Sequence, residues 1–502
     1  MLAALIKKRL KNYKIQVADI DASLEQKLRK SKSVAVIGSG LAGLSAATTL
    51  AERGFKVTVI EKSNYIGGKT GAWQHTFKDG YTVTIDHGFH AFFYQYYNLW
   101  NFIEKMQVKK FMRPIEEYLV LNHQKEKLSF KGIAKTPLLN ILSLGWKGFY
   151  SFFEILRKPQ SMEMAAFLNY SEDTTFKKYD KQSFAEFTGR LQLPKNLRLV
   201  FNSFSRAFFA EPQQMSMAEL MKSFHFFYLS HDYGIDYDYF MGNYDDCLLK
   251  PTKEYLEKSG AVFFINEKVE RIEKTMHGIR VNNSEFDYAV VAADVKGTKR
   301  IAQNSDWIKK ETPQYYNQLN SLQHANGYAV YKLWIKGRIE ETIPVFVITD
   351  RLKALDAVTV FDAFDAEAKK WADENNGTVL ELHCYSVTPE FYDREKISKQ
   401  FLAELYHYFP VLIEKEIVYE YLQLDNNFSS FQMNQHDSRP SYQSPLPQVK
   451  FAGDWVKLPI PAMLMEAAFS SGLFAANEIL AQEKLQAAPI WSVPLNGLLH
   501  GN

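Results

Sequence analysis

The sequence is poor in cysteine and has no long apolar run. Cys247 and Cys384 are the only cysteines among 502 residues, so neither a disulfide framework nor a cysteine-based metal site is indicated. This usage is typical of a protein from a reducing cytoplasm. Residues 2–6 are too short for the apolar part of a signal peptide, and the basic residues follow them. Because no run of about 18 apolar residues occurs, the sequence predicts no transmembrane helix.

The sequence also lacks a strong net charge. The formal charge is +3, which gives no basis for a nucleic-acid-binding surface. The exception is the segment 1–32, which carries nine Lys or Arg residues against three acids. Its first part, residues 1–14, places apolar and basic side chains on opposite faces of a helix. Such a helix fits an anionic membrane surface, and a solvated extension is the alternative.

Aromatic residues, in contrast, are abundant. They make up 15% of the chain, with 37 Phe and 28 Tyr. This surplus suits a large apolar cavity or a membrane-facing surface, although ordinary core packing also uses aromatics. The length and the 46% apolar content predict a globular protein of two or three domains, or one large discontinuous unit.

Residues 33–71 contain the most informative pattern of the chain. The apolar run 34–37 predicts a buried strand, a G-x-G-x-x-G pattern follows it, and 44–53 has helical character. Residues 56–60 predict a second strand, which ends at an acid. Strand, glycines, helix, strand and acid in this order predict a dinucleotide-binding βαβ unit.

Each glycine of the pattern has a physical role in such a unit. Gly38 allows the tight turn, Gly40 lets a pyrophosphate approach the backbone, and Gly43 lets the helix pack closely on the sheet. The helix N-terminus offers free N–H groups to phosphates. Glu61 stands where an acid accepts ribose hydroxyls, which disfavours NADP.

Gly67, Gly68 and Lys69 follow that acid closely. A second glycine pair with a basic residue at this point resembles the flavin amine oxidase and carotenoid desaturase superfamily, in which the turn continues along the FAD diphosphate. A glycine-rich loop with a solvated lysine is the alternative.

A second motif far along the chain strengthens the resemblance. Residues 451–455 read F-A-G-D-W, and a helix is predicted over 466–480. In the superfamily the acid, here Asp454, binds the ribityl chain or the diphosphate. The helix N-terminus then points at the flavin pyrimidine ring and stabilises the reduced anion.

The resemblance therefore implies FAD as the cofactor and no metal site. The residues expected to bind FAD are Gly38, Gly40, Leu41, Ala42, Gly43, Glu61, Lys62, Gly67, Gly68, Lys69, Val269, Ala292, Gly453, Asp454, Met465 and Ala468.

Two other segments resemble one group within the superfamily. The aromatic block at 89–99 (F-H-A-F-F-Y-Q-Y-Y-N-L) and the P-x-x-x-M-E-x-A pattern at 461–468 are similar to the bacterial β-carotene desaturase/methylase (isorenieratene synthase) group. The candidate catalytic residues are His90, Asp86 and Arg206. The alternative for His90 is a structural role as a buried core histidine, and the alternative for Arg206 is a structural role in an ion pair.

The resemblance implies an α/β fold with a Rossmann-type FAD-binding domain and an inserted α+β substrate domain on an antiparallel sheet. The expected divisions are a basic extension at 1–32, the FAD-binding domain at 33–120, 242–300 and 445–485, the substrate domain at 121–241 and 301–444, and a tail at 486–502. The apolar segment 137–156 is either a membrane-facing mouth or a buried helical lobe.

The implied function is oxidation of an isoprenoid, in particular a carotenoid, by hydride transfer to flavin N5. The closer resemblance adds a methyl migration on a terminal ring. The expected partners are a hydrophobic substrate and a membrane surface, at the inner face of the cytoplasmic membrane. The alternatives are an amine oxidase-like flavoenzyme, a flavin-dependent isoprenoid isomerase or dehydroxylase, and a non-redox prenyl-binding escort protein.

Overall fold

The computed structural model describes residues 13–151, 159–339 and 344–499. Nearly all of the basic helix predicted over 1–14 lies outside these residues, as does the end of the apolar segment 137–156. Within the described residues, no helix combines the length and apolar character that crossing a membrane requires.

The secondary structure alternates strands and helices around the predicted cofactor motif. The strands are β1 (Ile15–Gln16), β2 (Ser33–Ile37), β3 (Lys56–Ile60), β4 (Ala72–Thr76), β5 (Thr82–Asp86), β6 (Phe92–Phe93), β7 (Met112–Pro114), β8 (Tyr118–Leu121), β9 (Lys127–Ser129), β10 (Tyr237–Phe240), β11 (Val262–Phe264), β12 (Ile272–Lys274), β13 (Ile279–Val281), β14 (Ser284–Phe286), β15 (Tyr288–Val291), β16 (Gly327–Lys336), β17 (Phe346–Thr349), β18 (Ala357–Val360), β19 (Gly377–Val387), β20 (Ile417–Asp425), β21 (Val449–Phe451) and β22 (Trp491–Ser492).

The longest helix of the described residues, with 19 residues, follows the second cofactor motif. They are α1 (Leu41–Glu52), α2 (Tyr97–Lys105), α3 (Leu139–Trp146), α4 (Glu172–Tyr179), α5 (Phe184–Leu191), α6 (Lys195–Arg206), α7 (Met217–Phe224), α8 (Lys250–Lys258), α9 (Val295–Gln303), α10 (Asp306–Glu311), α11 (Pro313–Ser321), α12 (Ala366–Glu374), α13 (Arg394–Tyr408) and α14 (Leu464–Gln482).

The first sheet is a five-stranded parallel sheet in the order β11-β3-β2-β15-β21. Its central strands β2 and β15 are almost entirely buried, as their apolar sequences predict for strands covered on both faces. Helix α14 crosses α1 closely, and a Cβ at Gly472 would lie 2.1 Å from the carbonyl oxygen of Ala42. The Rossmann-type prediction is confirmed.

The second sheet has seven strands in the order β20-β16-β19-β18-β17-β8-β9. Its neighbours are antiparallel except β8 and β17, which pair in parallel, so the expectation of an antiparallel sheet needs that one correction. Strand β8 spans the boundary expected at residue 120 between the two domains. The division into domains otherwise stays a prediction.

The two ends of the described chain meet. Ile15 and Gln16 pair with Ser492 and Trp491 in an antiparallel ladder, and the backbone N–H of Gln486 donates to the carbonyl of Glu25 at 2.8 Å. Both cysteines are buried and unpaired.

Candidate active site

The turn after β2 has no space for side chains at two of its glycines. Gly38 has a φ of +103°, and a Cβ there would lie 2.6 Å from the carbonyl oxygen of Ala292. A Cβ on Gly43 would lie 1.9 Å from the carbonyl oxygen of Gly38. These approaches hold α1 against the sheet. Gly40 differs, because the nearest atom to a Cβ there would be the Cα of Gly68 at 3.9 Å, which leaves the space beside it open.

Helix α1 presents an uncapped N-terminus at this space. Gly40 is its N-cap residue, no side chain caps the first turn, and that turn contains no acid. Leu41 and Ala42 lie on the same cavity. The free N–H groups and the positive end of the helix dipole therefore favour an anion here.

Glu61 is held rigidly at the end of β3. One carboxylate oxygen accepts from the Ser39 backbone N–H at 2.9 Å and from its hydroxyl at 2.8 Å. The other accepts from the Ser63 backbone N–H at 2.9 Å. Glu61 is buried yet borders the cavity, which suits an acceptor of ligand hydroxyls.

The second glycine loop packs directly on the first. The Gly67 backbone N–H donates to the Ser39 carbonyl at 2.9 Å. Gly67 and Gly40 also form an isolated parallel β-bridge. Gly67 and Gly68 have φ values of +99° and +57°, which glycine adopts without strain. The Lys69 ammonium lies 4.4 Å from the ring centroid of Phe428. The two loops thus form one wall.

Distant segments complete this end of the cavity. The Gly453 backbone N–H donates to the Ser471 hydroxyl at 2.8 Å, and the Asp454 carboxylate accepts from the Ser429 hydroxyl at 2.6 Å. Lys62, which also borders the cavity, pairs with Asp294 at 3.0 Å. The other predicted residues on this wall are Val269, Ala292, Met465 and Ala468.

One cavity of about 490 Å³ connects these residues to an apolar region. Every predicted FAD-binding residue lines it except Gly43, whose place is in the contact between helix and strand. Beyond them the wall is largely aromatic and includes Phe93, Tyr118, Phe130, Phe204, Phe227 and Tyr237.

The family model for flavin-containing amine oxidoreductases matches residues 41–480. The chain belongs to this family. FAD is therefore its cofactor, and the protein is an FAD-dependent oxidoreductase, as the sequence predicts. The cavity fits this cofactor, since it offers an open glycine cradle, an uncapped helix N-terminus and a carboxylate at the ribose position.

Several similar proteins have names that refer to carotenoids. A carotenoid φ-ring synthase of Streptomyces griseus is 29% identical and aligns over 93% of this chain and 91% of its own. A ζ-carotene desaturase of Synechocystis is 25% identical over 91% of this chain and 99% of its own. Putrescine oxidase bound to putrescine shares the fold, with a TM-score of 0.67 and 16% identity over 90% of this chain and 99% of its own.

Of the candidate catalytic residues, only His90 lines the cavity of this flavoenzyme. Its Nδ1–H donates to the Gly88 carbonyl at 2.7 Å, and its backbone N–H donates to the Tyr244 hydroxyl at 2.9 Å. Burial lowers the pKa of His90, so the ring is neutral at pH 7. Both a catalytic and a structural role remain compatible with this position.

Asp86 and Arg206 lie behind the cavity wall. Asp86 accepts from the Lys332 ammonium at 2.7 Å, and Arg206 pairs with Asp356 at 2.9 Å. Arg351 reaches the same Asp356 carboxylate at 3.6 Å. The ion pair considered for Arg206 is present, while a catalytic role for Asp86 or Arg206 stays a prediction.

The sequence interpretation missed a buried charge cluster that we call the Lys332 cluster, formed by Asp86, Lys332, Glu381 and His383. Lys332 reaches Glu381 at 3.2 Å, and the His383 Nε2 lies 2.9 Å from the same carboxylate. His383 lines the cavity. Glu381 and His383 alternate along β19, and polar residues at every second position of an apolar strand are the signal that could have revealed them.

A further histidine, His87, borders the cavity at its cofactor end. Its Nε2 contacts the Tyr65 hydroxyl and its Nδ1 the Tyr328 hydroxyl, both at 3.1 Å. Burial, aided by the charges of His90 and Lys69, lowers the pKa of His87 to about 3. His87 is therefore a neutral ring with both nitrogens engaged.

Proposed function

We propose that this flavoenzyme oxidises a carotenoid by removing hydrogen from a terminal ring. The observation that carries the proposal is the single cavity that connects the FAD-binding residues to an aromatic, apolar region. A long isoprenoid offers no polar group to bind, so such a wall recognises it through apolar contact. The names of the relatives support the same substrate class.

The residues of the two glycine loops and the distant segments would hold FAD. Gly40 and the N-terminus of α1 would face the diphosphate, and Glu61 the adenosine ribose. Asp454 would face the ribityl chain, and the start of α14 the flavin ring. The bound cofactor would accept a hydride from the substrate.

The aromatic wall would assist the chemistry as well as the binding. Loss of a hydride leaves positive charge on the ring, and aromatic faces stabilise a cation. Phe93 and Phe227 lie 4.7 Å apart between ring centroids, and Tyr118 stacks on Phe130 at 4.5 Å. These contacts fix the rings in place.

The proposed product is an aromatic ring. A ring with one double bond needs two desaturations to become aromatic, and a ring carbon with two methyl groups cannot join an aromatic system unless one methyl migrates. A cation formed by hydride loss permits that shift. The resemblance of residues 89–99 and 461–468 to the desaturase/methylase group supports this version of the reaction.

Anaerobic single turnover of the purified holoenzyme with β-carotene in detergent tests the proposal. We expect the oxidised flavin absorbance to bleach and a product two hydrogens lighter to form. Bleaching by putrescine or benzylamine but not by carotenoid would overturn it in favour of an amine oxidase. A carotenoid product of unchanged mass would indicate an isomerase, and failure to bind FAD after reconstitution would indicate an escort protein.

We also propose that the protein docks on a membrane surface, since the substrate is insoluble in water. Trp146 at the end of α3 is 82% exposed, and Lys147 next to it is also exposed. Aromatic and basic side chains together favour an anionic interface. Trp146→Ser should reduce partitioning to anionic liposomes severalfold, whereas Met276→Ser, at an equally exposed site, should not. Equal partitioning of all three proteins would contradict the proposal.

A further inference from the structure

We propose that His383 is the general base of the reaction, accepting through Nδ1 the proton that the substrate loses. The inference rests on the proposed function, and it concerns a residue that no sequence motif marks. It is drawn from two observations: His383 contacts Glu381 in the Lys332 cluster, and His383 also lines the cavity.

The hydrogen bonds of His383 fix which nitrogen carries its proton. Nε2 lies 2.9 Å from a carboxylate oxygen of Glu381 and 3.2 Å from the Thr359 hydroxyl. A carboxylate only accepts, so the proton of the neutral ring is on Nε2. Nδ1 then keeps its lone pair, and it has no hydrogen-bond partner among the residues that the structure describes. The ring lines the cavity, where a substrate would lie.

Glu381 is held as an anion that can stabilise a protonated ring. It is fully buried, and burial alone would raise its pKa, but Lys332 and His383 bring the pKa down to about 2. The Phe89 backbone N–H adds a hydrogen bond at 2.8 Å. The carboxylate is therefore fixed in position and charge before any substrate arrives.

The charge balance of the cluster suits a base that becomes positively charged during the reaction. Lys332 is one cation in contact with two carboxylates, those of Asp86 and Glu381, so the three groups carry one net negative charge. All three are almost completely buried. The positive charge that His383 would gain on accepting the substrate proton is offset by this net negative charge, which matters most in a medium of low dielectric constant.

The other histidines at the cavity are less suited to this role. Both nitrogens of His87 are engaged by tyrosine hydroxyls. His90 donates from Nδ1 to the Gly88 carbonyl and so has a lone pair on Nε2, but no carboxylate contacts its ring among the described residues. A carbonyl partner orients a ring, whereas a carboxylate also stabilises its positive charge.

In the proposed step, the substrate would lose one hydride and one proton, and the flavin would be the oxidant. One substrate carbon loses a hydride to the oxidised flavin, and a carbon next to the resulting cation loses a proton to Nδ1 of His383. The electron pair of that second C–H bond becomes the new double bond. The substrate is oxidised by two electrons, the flavin is reduced by two, and the imidazolium later releases its proton to solvent.

His383→Gln is the decisive variant, because a glutamine amide N–H can replace the Nε2–H donor to Glu381 but offers no base in place of Nδ1. In anaerobic single turnover we expect formation of the two-hydrogen-lighter product to slow by about 10²- to 10⁴-fold, as general bases usually contribute. The affinity for FAD and the melting temperature should stay near those of the wild type. Imidazole added to His383→Ala should restore part of the rate.

Thr359→Val, which removes the other contact of Nε2 and leaves the base, should change the rate less than about fivefold. A His383→Gln enzyme that keeps the wild-type rate would overturn the inference. The inference would also be overturned if His90→Asn lost its activity while His383→Gln kept it, because His90 would then be the base. If the wild-type enzyme itself forms no product from a carotenoid, the proposed function has failed instead.

A second readout needs no turnover. In substrate-free protein labelled with ¹⁵N-histidine, NMR should show the neutral form of the His383 ring as the Nε2–H tautomer, and Glu381→Gln should change its ¹⁵N shifts. A Nδ1–H tautomer in the wild type would contradict the assignment, whatever the substrate is.

Discussion

The α-carbon of Gly43 lies so close to the Gly38 carbonyl that a single added methyl group would be 1.9 Å from its oxygen. The turn and the helix that follow β2 can hold this distance only when residue 43 is glycine. The contact decides how the N-terminus of α1 is aimed at the cavity.

Gly43→Ala is therefore expected to push α1 away from the sheet. We predict a loss of stability of about 1–3 kcal/mol, as overpacking usually costs, and an FAD affinity at least tenfold weaker. Chemical denaturation and flavin fluorescence titration measure the two effects. Gly189→Ala in α5 is the matched control, since a Cβ there meets nothing within 4 Å. Equal behaviour of the two variants would contradict the prediction.

Glu61→Ala should weaken FAD binding without unfolding the protein. The substitution removes the proposed acceptor of ribose hydroxyls and leaves the Ser39 and Ser63 donors without their carboxylate. We expect the dissociation constant to rise at least tenfold, equivalent to about 1.4 kcal/mol. Equilibrium dialysis against FAD gives the value. The exposed acid Glu254 provides the control, because Glu254→Ala should leave it unchanged.

Lys332→Met should destabilise the protein strongly. It leaves Asp86 and Glu381 buried without their cation, and breaking a buried pair costs about 3–5 kcal/mol. Lys336→Met on the same strand removes only the exposed pair with Glu416 and should cost less than about 1 kcal/mol. Urea unfolding of both variants tests the difference, and similar midpoints would count against a structural role for the Lys332 cluster.

Glu466 should make stability fall as the pH rises. Burial raises the pKa of Glu466 to about 8, against the hydrogen bonds from Asn98 and Leu99 that lower it. Between its unfolded value near 4.5 and about 8, the folded protein keeps a proton that the unfolded chain has lost. Its stabilising contribution is thus complete below pH 4.5 and disappears as the pH approaches 8.

The wild type should therefore lose up to about 1.4 kcal/mol per pH unit in this window relative to Glu466→Gln. Urea unfolding at pH 5, 6, 7 and 8 provides the comparison. Parallel curves for the two proteins would mean that Glu466 ionises normally in the folded state.

All but one of the residues expected to bind FAD line one cavity, and the sequence could bring them together because most of the determinants are local. Gly38 to Lys69 span one strand, one helix and two turns, and each turn has its own glycine signal. Helix α1 nevertheless begins at Leu41 rather than at the predicted residue 44. The last glycine of the motif, Gly43, is therefore part of the helix and not of the turn before it. Val269, also expected to bind FAD, lies at the cavity wall in an irregular segment that precedes β12.

The Lys332 cluster escaped prediction because it depends on strand register. Lys332 on β16 is opposite Glu381 on β19, nearly fifty residues along the chain, and Asp86 comes from a third strand. Period-two patterns reveal an exposed face and a buried face, whereas β16 and β19 are buried on both. The alternation of Glu381 and His383 therefore marks a polar face on β19, but it does not show that Lys332 and Asp86 complete the cluster.

The pairing of β1 with β22 has a consequence for the lifetime of the enzyme in a cell. The Trp491 backbone N–H donates to the Asn98 side chain, and Asn98 in turn donates to Glu466 in the first turn of α14. A protease that cleaved before Trp491 would remove this pair of hydrogen-bonded contacts while leaving both glycine loops intact. The clipped protein would lose these hydrogen bonds to α14 beside the proposed flavin position, so such cleavage should weaken FAD binding even though both glycine loops remain.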